Sequence, residues 1–283
     1  MKDGDIREDE SSINSGLRRT MTVAGSDSGG GAGVQADLKT FMAFGVYGTS
    51  AITAVTAQNT VGVTSIHMIP PEMVAAQIDA ILTDIGTDAV KIGMLGTPEV
   101  VSVVAERLRH YGVRNLVVDP VMVSSSGHRL LSKDGQRALM QELLPLALVV
   151  TPNLQEAEVL AGRSIESAGD LQYAARKILD LGPRWVLMKG GHRAFDPSGN
   201  EAVDILTDGR ATIEFRAKRI NTQNTHGTGC TLSAAIAAGL SRGLAVVDTV
   251  RLAKEYLTGA LRTAHPLGRG HGPVNHRYQV EAK

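Results

Sequence analysis

The stretch TMTVAGSDSGGGAGVQADLKTFMAF, residues 20–44, decides the fold. Its first six residues, TMTVAG, form a short β-branched and apolar run that reads as a buried strand. Gly25-Ser-Asp-Ser-Gly29-Gly30-Gly31-Ala-Gly33 then places five glycines in nine residues. Such a loop lets backbone approach a ligand closely or adopt positive φ. Val34, Leu38, Phe41 and Met42 fall on one face of a helix over Val34–Phe44. Strand, glycine loop and helix in that order open an α/β unit.

The alternation continues along the chain. Residues 50–58 and 63–69 read as strands, and a helix enters at Pro70-Pro71 and runs to about Ile85. The apolar runs DAVKIG, NLVVD, LALVVT and WVLMKG are short buried strands, and helical segments at 98–111, 132–144, 153–161 and 167–181 separate or follow them. Two longer helices, at about 229–242 and 246–264, close the chain. This pattern predicts a central, mainly parallel sheet with helices on both faces and a ligand site beyond the carboxyl ends of the strands. No Pro/Ser-rich linker divides it, so residues 21–283 are expected to form one domain. Residues 1–20, with nine charged residues, read as a flexible tail.

Composition sets further limits. The 283 residues carry 29 Lys+Arg against 29 Asp+Glu, a net charge of zero. That balance argues against nucleic-acid binding, which concentrates positive charge. No apolar run reaches the ~20 residues of a membrane helix, and Leu143–Val150 is interrupted by Pro145. The N-terminal residues lack the apolar core of a secretory signal, and the single cysteine, Cys230, excludes an intrachain disulfide. A soluble cytoplasmic protein is expected. Glycine, at 31 residues, is enriched, and aromatics make up only 4%.

Five places carry candidate chemistry. In the first loop, Gly31-x-Gly33-x-x-Ala36 fits a dinucleotide fingerprint. The acid such a site needs about 20 residues on is missing, since no Asp or Glu lies between Asp37 and Glu72. An anion loop and a ligand-free turn both remain. The second place, Asn224-Thr-His-Gly227-Thr228-Gly229-Cys230-Thr231, precedes the small apolar run LSAAIAAGL, a buried helix. The free amides and dipole at its start suit an anion and should lower the Cys230 thiol; an inert buried cysteine is the plainer alternative. Third, Thr151-Pro-Asn153-Leu-Gln-Glu156 is a capping box by spacing. Fourth, Asp119 ends NLVVD and could hold Mg²⁺ or cap a turn. Fifth, Lys189-Gly190-Gly191-His192 ends WVLM, where a Lys suits a phosphate or is simply exposed. No Gly-Lys dipeptide occurs, so there is no P-loop, and zinc or G-x-S-x-G signatures are absent. These features favour phosphoryl transfer over hydride transfer or acyl hydrolysis.

Read together, AGSDSGGGAGVQADLKTF, TAVTAQNTVGV, VKIGML, DPVM, TPNLQEAEVL, VLMKGGH, NTHGTGCTLSAA and GHGPVNH resemble the hydroxymethylpyrimidine/phosphomethylpyrimidine kinases of thiamine biosynthesis. The motifs occur in family order from Met21 to Tyr278. The resemblance implies a ribokinase-like three-layer sandwich, with ATP and Mg²⁺ used to phosphorylate 4-amino-5-hydroxymethyl-2-methylpyrimidine and then its monophosphate. It implies that Gln58 reads the pyrimidine edge, that Gly25 and Asp37 line the same pocket, and that Met94 and Val121 pack on the ring. Asn153 and Glu156, helped by Asp119, would position Mg²⁺ and the phosphates. Lys189 and Thr228 would contact ATP. Gly227, Gly229 and the amide of Cys230 would form an anion hole; separately, the place of Cys230 in the first turn of the helix, where the dipole favours thiolate, makes it the expected base for the substrate hydroxyl. A homodimer is also suggested. Pyridoxal kinases share Cys230 where many related sugar kinases carry Asp, so a pyridoxal kinase is the alternative enzyme. A pyrimidine- or nucleotide-binding protein without catalysis is the alternative class.

Overall fold

The computed structural model describes residues 16–122, 130–190 and 199–278. Nine strands form one sheet, in the order β3-β2-β1-β4-β5-β6-β7-β8-β9. β1 (Arg19–Asp27), β2 (Tyr47–Gln58), β4 (Ala89–Ile92), β5 (Leu116–Val118), β6 (Val149–Val150) and β7 (Trp185–Met188) run parallel. β3 (Val63–Met68) at one edge, and β8 (Glu201–Thr207) with β9 (Thr212–Lys218) at the other, are antiparallel. The β8–β9 hairpin is absent from the sequence reading, because charged residues interrupt the apolar positions of the mostly buried β8 and the largely exposed β9, so neither forms an unbroken apolar run. β1 also takes in Arg19, which the reading placed in the tail, while residues 1–15 of that tail lie outside the described residues.

Alternate residues of each central strand serve opposite cores. Leu116, Val118, Val186 and Met188 join one apolar cluster with helices α2 (Pro71–Asp84), α3 (Pro98–His110), α4 (Lys133–Ala138), α5 (Leu154–Ala161) and α6 (Ala168–Leu179). Val117 and Leu187 join the other, with α1 (Gly33–Ala43), α7 (Thr228–Ser241) and α8 (Val246–Arg262). Two faces buried on every central strand explain why those strands read as unbroken apolar runs. α7 is buried from Thr231 to Ser241, and its small residues bring it close to α8: a Cβ on Gly239 would stand 2.8 Å from Thr249. The helix expected over 132–144 is α4 followed by a π-helical turn at Leu139–Leu143 and a 3₁₀ turn at Leu144–Leu146. Pro145, with no amide hydrogen, ends regular winding there.

The sheet's hydrogen-bond ladder continues past the strand ends. Gly93 N donates to Val23 O, Asp119 N to Ile92 O, Thr151 N to Val118 O and Lys189 N to Pro152 O, at 2.9–3.0 Å. The residues immediately beyond β4, β5, β6 and β7 are thereby held almost as firmly as the strands themselves. A site can be built on them.

Candidate active site

A cavity of about 450 Å³ opens at this carboxyl edge. Of the residues singled out by sequence, Gly25, Gln58, Met94, Asp119, Val121, Asn153, Glu156, Lys189, Gly227, Thr228, Gly229 and Cys230 all line it. Asp37 does not. It lies fully buried on α1, where it accepts from Lys91 Nζ at 2.8 Å and from the Thr22 hydroxyl at 2.6 Å. The residue that does reach the cavity from that pair is Lys91, which the sequence reading passed over.

Two polar clusters line the cavity. In the first, Lys189 Nζ donates to Asp119 Oδ1 at 2.8 Å and stands 3.8 Å from Glu156 Oε2. Asp119, 2% exposed, also accepts from the Thr151 hydroxyl at 3.1 Å. The predicted capping box is present: Glu156 N donates to Asn153 Oδ1 at 2.9 Å, and Asn153 N donates to Glu156 Oε2 at 2.8 Å. Glu156 therefore caps α5 and borders the cavity at once. Burial pushes its carboxyl up to about 7, against the pull of Lys189 and with a further push from Asp119. For Lys189, burial favours the neutral amine, but Asp119 and Glu156 outweigh it and hold the ammonium above its ordinary range. His192, expected beside Lys189, lies outside the described residues.

The second cluster corrects the reading of the first glycine loop. Gly29 N, Gly31 N and Ala32 N donate to the Asp27 carboxylate at 2.8–3.0 Å. The loop is wrapped around an anion, but that anion is its own aspartate. His226 Nε2 makes a fourth contact to Asp27 at 2.8 Å, and Gln58 Nε2 lies 3.4 Å from the same ring nitrogen. Burial alone would raise the Asp27 carboxyl; His226 and the amides of Ala32 and Gly29 together hold it below the usual range. Asp27 and His226 both stand in quoted motifs, yet nothing in spacing marks two residues 199 positions apart as partners.

The start of α7 touches both clusters. Gly227 is left-handed, with φ 80°, and a Cβ there would overlap the carbonyl oxygen of Gly31, so the two glycine loops press together backbone to backbone. A Cβ on Gly229 would stand 3.4 Å from Lys189 Nζ and 3.5 Å from Asp119 Oδ2, at the polar end of the cavity. Thr228 N bonds Thr225 O at 3.3 Å and Thr231 N bonds Gly227 O at 2.8 Å. Gly229 and Cys230 thus carry the first-turn amides that helix geometry leaves without an intrahelical acceptor. The expected lowering of the Cys230 thiol is reversed. Burial pushes it up, Lys91 pulls it down, Asp37 and Asp119 push it up again, and the Gly33 amide pulls it down, for a net rise. Burial of the sulfur is the largest of these influences.

Among the described residues no helix is long and apolar enough to cross a membrane. A family model described as phosphomethylpyrimidine kinase matches residues 27–275. The chain is 53% identical over 261 residues to the hydroxymethylpyrimidine/phosphomethylpyrimidine kinase of Rhizobium meliloti, which covers 90% of this chain and 96% of that one. A solved phosphomethylpyrimidine kinase from Clostridium difficile is 45% identical, with a TM-score of 0.76 over 86% of this chain and 99% of that one. Pyridoxal kinase of Bacillus subtilis, solved as an ADP complex, is 37% identical, with a TM-score of 0.84 over 93% and 98%.

Proposed function

The chain belongs to the phosphomethylpyrimidine kinase family, and on that premise we propose that it transfers the γ-phosphoryl group of ATP to 4-amino-5-hydroxymethyl-2-methylpyrimidine and then to the monophosphate so formed, in thiamine biosynthesis. Its three layers are the ribokinase-like architecture of its structural relatives. The observation that carries the reading is the placing of α7's glycine-opened first turn between a pyrimidine-reading amide, Gln58, and the Lys189–Asp119–Glu156 cluster, all in one cavity.

Gln58 offers both a donor and an acceptor to the amino and ring-nitrogen edge of the pyrimidine. Gly25 supports the ring's place: a Cβ there would stand 3.2 Å from Met94 Sδ, so glycine lets Met94, with Val121, form the apolar wall. Lys189 and the hydroxyl of Thr228 meet the nucleotide phosphates. The amides of Gly229 and Cys230, opened by Gly227, receive charge spreading over the equatorial oxygens of the transferring group. The substrate hydroxyl proton passes to Cys230 Sγ as the new O–P bond forms. The bond from γ-phosphorus to the bridging oxygen breaks at the same time, and its electron pair leaves with ADP.

Asp119, Glu156 and Asn153 present hard oxygen donors, which fit Mg²⁺ held by one or two carboxylates and completed by phosphate and water. Among the described residues no three His, Cys, Asp or Glu side chains converge as a metal cage, and the remaining ligands of such an ion would be phosphate and water. When bound it supplies neutralising charge to the β and γ phosphates. Lys189, already between both carboxylates, is placed to exchange an acid partner for a phosphate.

We place the protein in the cytoplasm, with a single kinase domain that opens with β1 at Arg19 rather than at Met21 and follows a shorter N-terminal tail. The exposed Val55, Val61 and Ile66 at the β2–β3 edge support a homodimer, which light scattering on the purified protein tests. The catalytic reading is tested by incubating the protein with ATP·Mg and the pyrimidine or pyridoxal, and counting added phosphates by mass spectrometry. Two phosphates on the pyrimidine support it. Phosphate on pyridoxal alone moves the assignment to the pyridoxal branch, and none on either removes it.

A further inference from the structure

Lys91 is an unexpected charge, standing within β4 at 0% exposure in a strand buried along its whole length. Its ammonium donates to Asp37 Oδ2 at 2.8 Å, and Asp37 Oδ1 is buried without a hydrogen-bond partner among the described residues. Such a pair is seldom retained for stability, since apolar residues of equal volume often serve as well or better. The pair instead borders the cavity. Lys91 lines it alongside Cys230, and a Cβ on Gly93 would stand 2.8 Å from Lys91 Nζ, so glycine there makes room for the ammonium. One turn before Asp37 on α1, the amide of Gly33 bonds Cys230. The same helix turn therefore supports both the thiol and the counter-ion of Lys91.

We propose that Lys91, clamped by Asp37 and given room by Gly93, is a positioning residue that holds its ammonium at the cavity wall it shares with Cys230. This rests on the reading of Cys230 as the proton acceptor. Cys230 is faced by Lys91 from β4, Asp37 from α1, Asp119 beyond β5 and Lys189 beyond β7. Lys189 is engaged by two carboxylates, Asp119 and Glu156, whereas among the described residues Lys91 is paired with Asp37 alone. Burial disfavours the thiolate, and Lys91 is the strongest influence against that; Asp37 acts in the opposite sense. A pair with a purely packing role lacks this signature, because loss of either member would disturb the site alike.

Cys230 is the single cysteine, so alkylation by iodoacetamide, followed by mass spectrometry, reads it alone. Rates are measured from about pH 7 to 10 on the full chain without ligands, for wild type, Lys91→Met, Asp37→Asn and the double variant K91M/D37L. Circular dichroism checks the fold of each. Lys91→Met is expected to react about tenfold more slowly near pH 8, the equivalent of one pH unit in thiol acidity. Asp37→Asn is expected to react faster, and the double variant more slowly than wild type, since Lys91 outweighs Asp37. If the single variants fail to fold, the double variant, which leaves no lone buried charge, decides. Equal rates throughout, single variants moving in the same direction, or a double variant as fast as wild type overturn the proposal. None of these readings depends on turnover. A Cys230→Ala variant with normal phosphorylation would remove the base reading separately.

Discussion

Glu156→Gln should make the ligand-free protein more stable and the enzyme worse. The Glu156 carboxyl titrates at about 7 in the folded chain against an ordinary value of 4.5. Between those values the folded state holds a proton that the unfolded state has lost, so stability falls as pH rises across that window. The full difference corresponds to about 3 kcal/mol above pH 7. The substituted amide has no proton to lose, and its carbonyl oxygen can still accept from Asn153 N, so the capping box survives. What the variant forfeits is attraction to Lys189 at 3.8 Å and acceptance from the Met122 amide, since a single carbonyl oxygen cannot serve both Asn153 N and Met122 N; both pulls are already included in the net value. Urea unfolding in EDTA buffer should therefore show the variant about 1–3 kcal/mol more stable than wild type near pH 8, with the gap closing toward pH 5. Turnover in limiting Mg²⁺ should fall at least about tenfold, as expected when a group that organises a metal is lost. Parallel pH–stability curves for the two proteins would refute the electrostatic argument. Unchanged turnover would leave Glu156 as a helix cap alone.

Three further outcomes are expected. Gln58→Leu leaves one partner of a buried amide contact unpaired, a cost of about 1–3 kcal/mol, so pyrimidine binding should weaken about 5- to 150-fold with ATP binding unchanged; equal pyrimidine affinity by calorimetry would void the assignment. Cys230→Ala should slow phosphorylation of the alcohol by about 10²–10⁴-fold and that of the monophosphate far less, since a phosphate monoester is already largely ionised near neutral pH. Because burial raises the thiol, the alcohol step in wild type should climb with pH through 8, with a slope of about one decade per pH unit, and the variant should lose that slope; equal, small losses in both steps with the slope intact would leave the backbone amides as the catalyst. Gly227→Ala must push Gly31 away and place alanine at φ 80°, so nucleotide binding should drop sharply, as differential scanning fluorimetry with ATP would register; an unaltered ligand-induced rise in Tm would contradict the loop contact.

Much of the central sheet could be read before the structure, because strands such as Leu116–Val118 are buried on both faces and leave an unbroken apolar signature. The Asn153–Glu156 box was legible for a similar reason, being local in sequence. The β8–β9 hairpin was not, since an edge hairpin with polar outward residues resembles a loop. Asp27, His226 and Lys91 were missed because their significance is tertiary. Asp27 becomes the loop's anion only once that loop has closed on it, and His226 arrives from the far end of the chain. Lys91 did carry a signal, a charge inside DAVKIG, that points to a buried partner without naming Asp37. The direction of the Cys230 thiol was misjudged for the same reason: helix position is local, whereas burial is a property of the assembled fold.

The Gly31–Gly227 contact also bears on the order in which the protein matures during synthesis. One of its walls is made early and the other late, and the late wall is braced by residues made later still. His226 pairs with Pro273, and His226 N donates to Gly272 O at 3.0 Å. A ribosome-bound chain that has emerged as far as α6 can assemble parallel β-α units from neighbouring segments, yet it lacks half of the cavity wall. Contacts so distant in sequence form slowly, because a long loop must close before they return any energy. On the proposed reading, affinity for nucleotide would appear only at the end of folding, and a ligand that binds then would stabilise the step that finishes last.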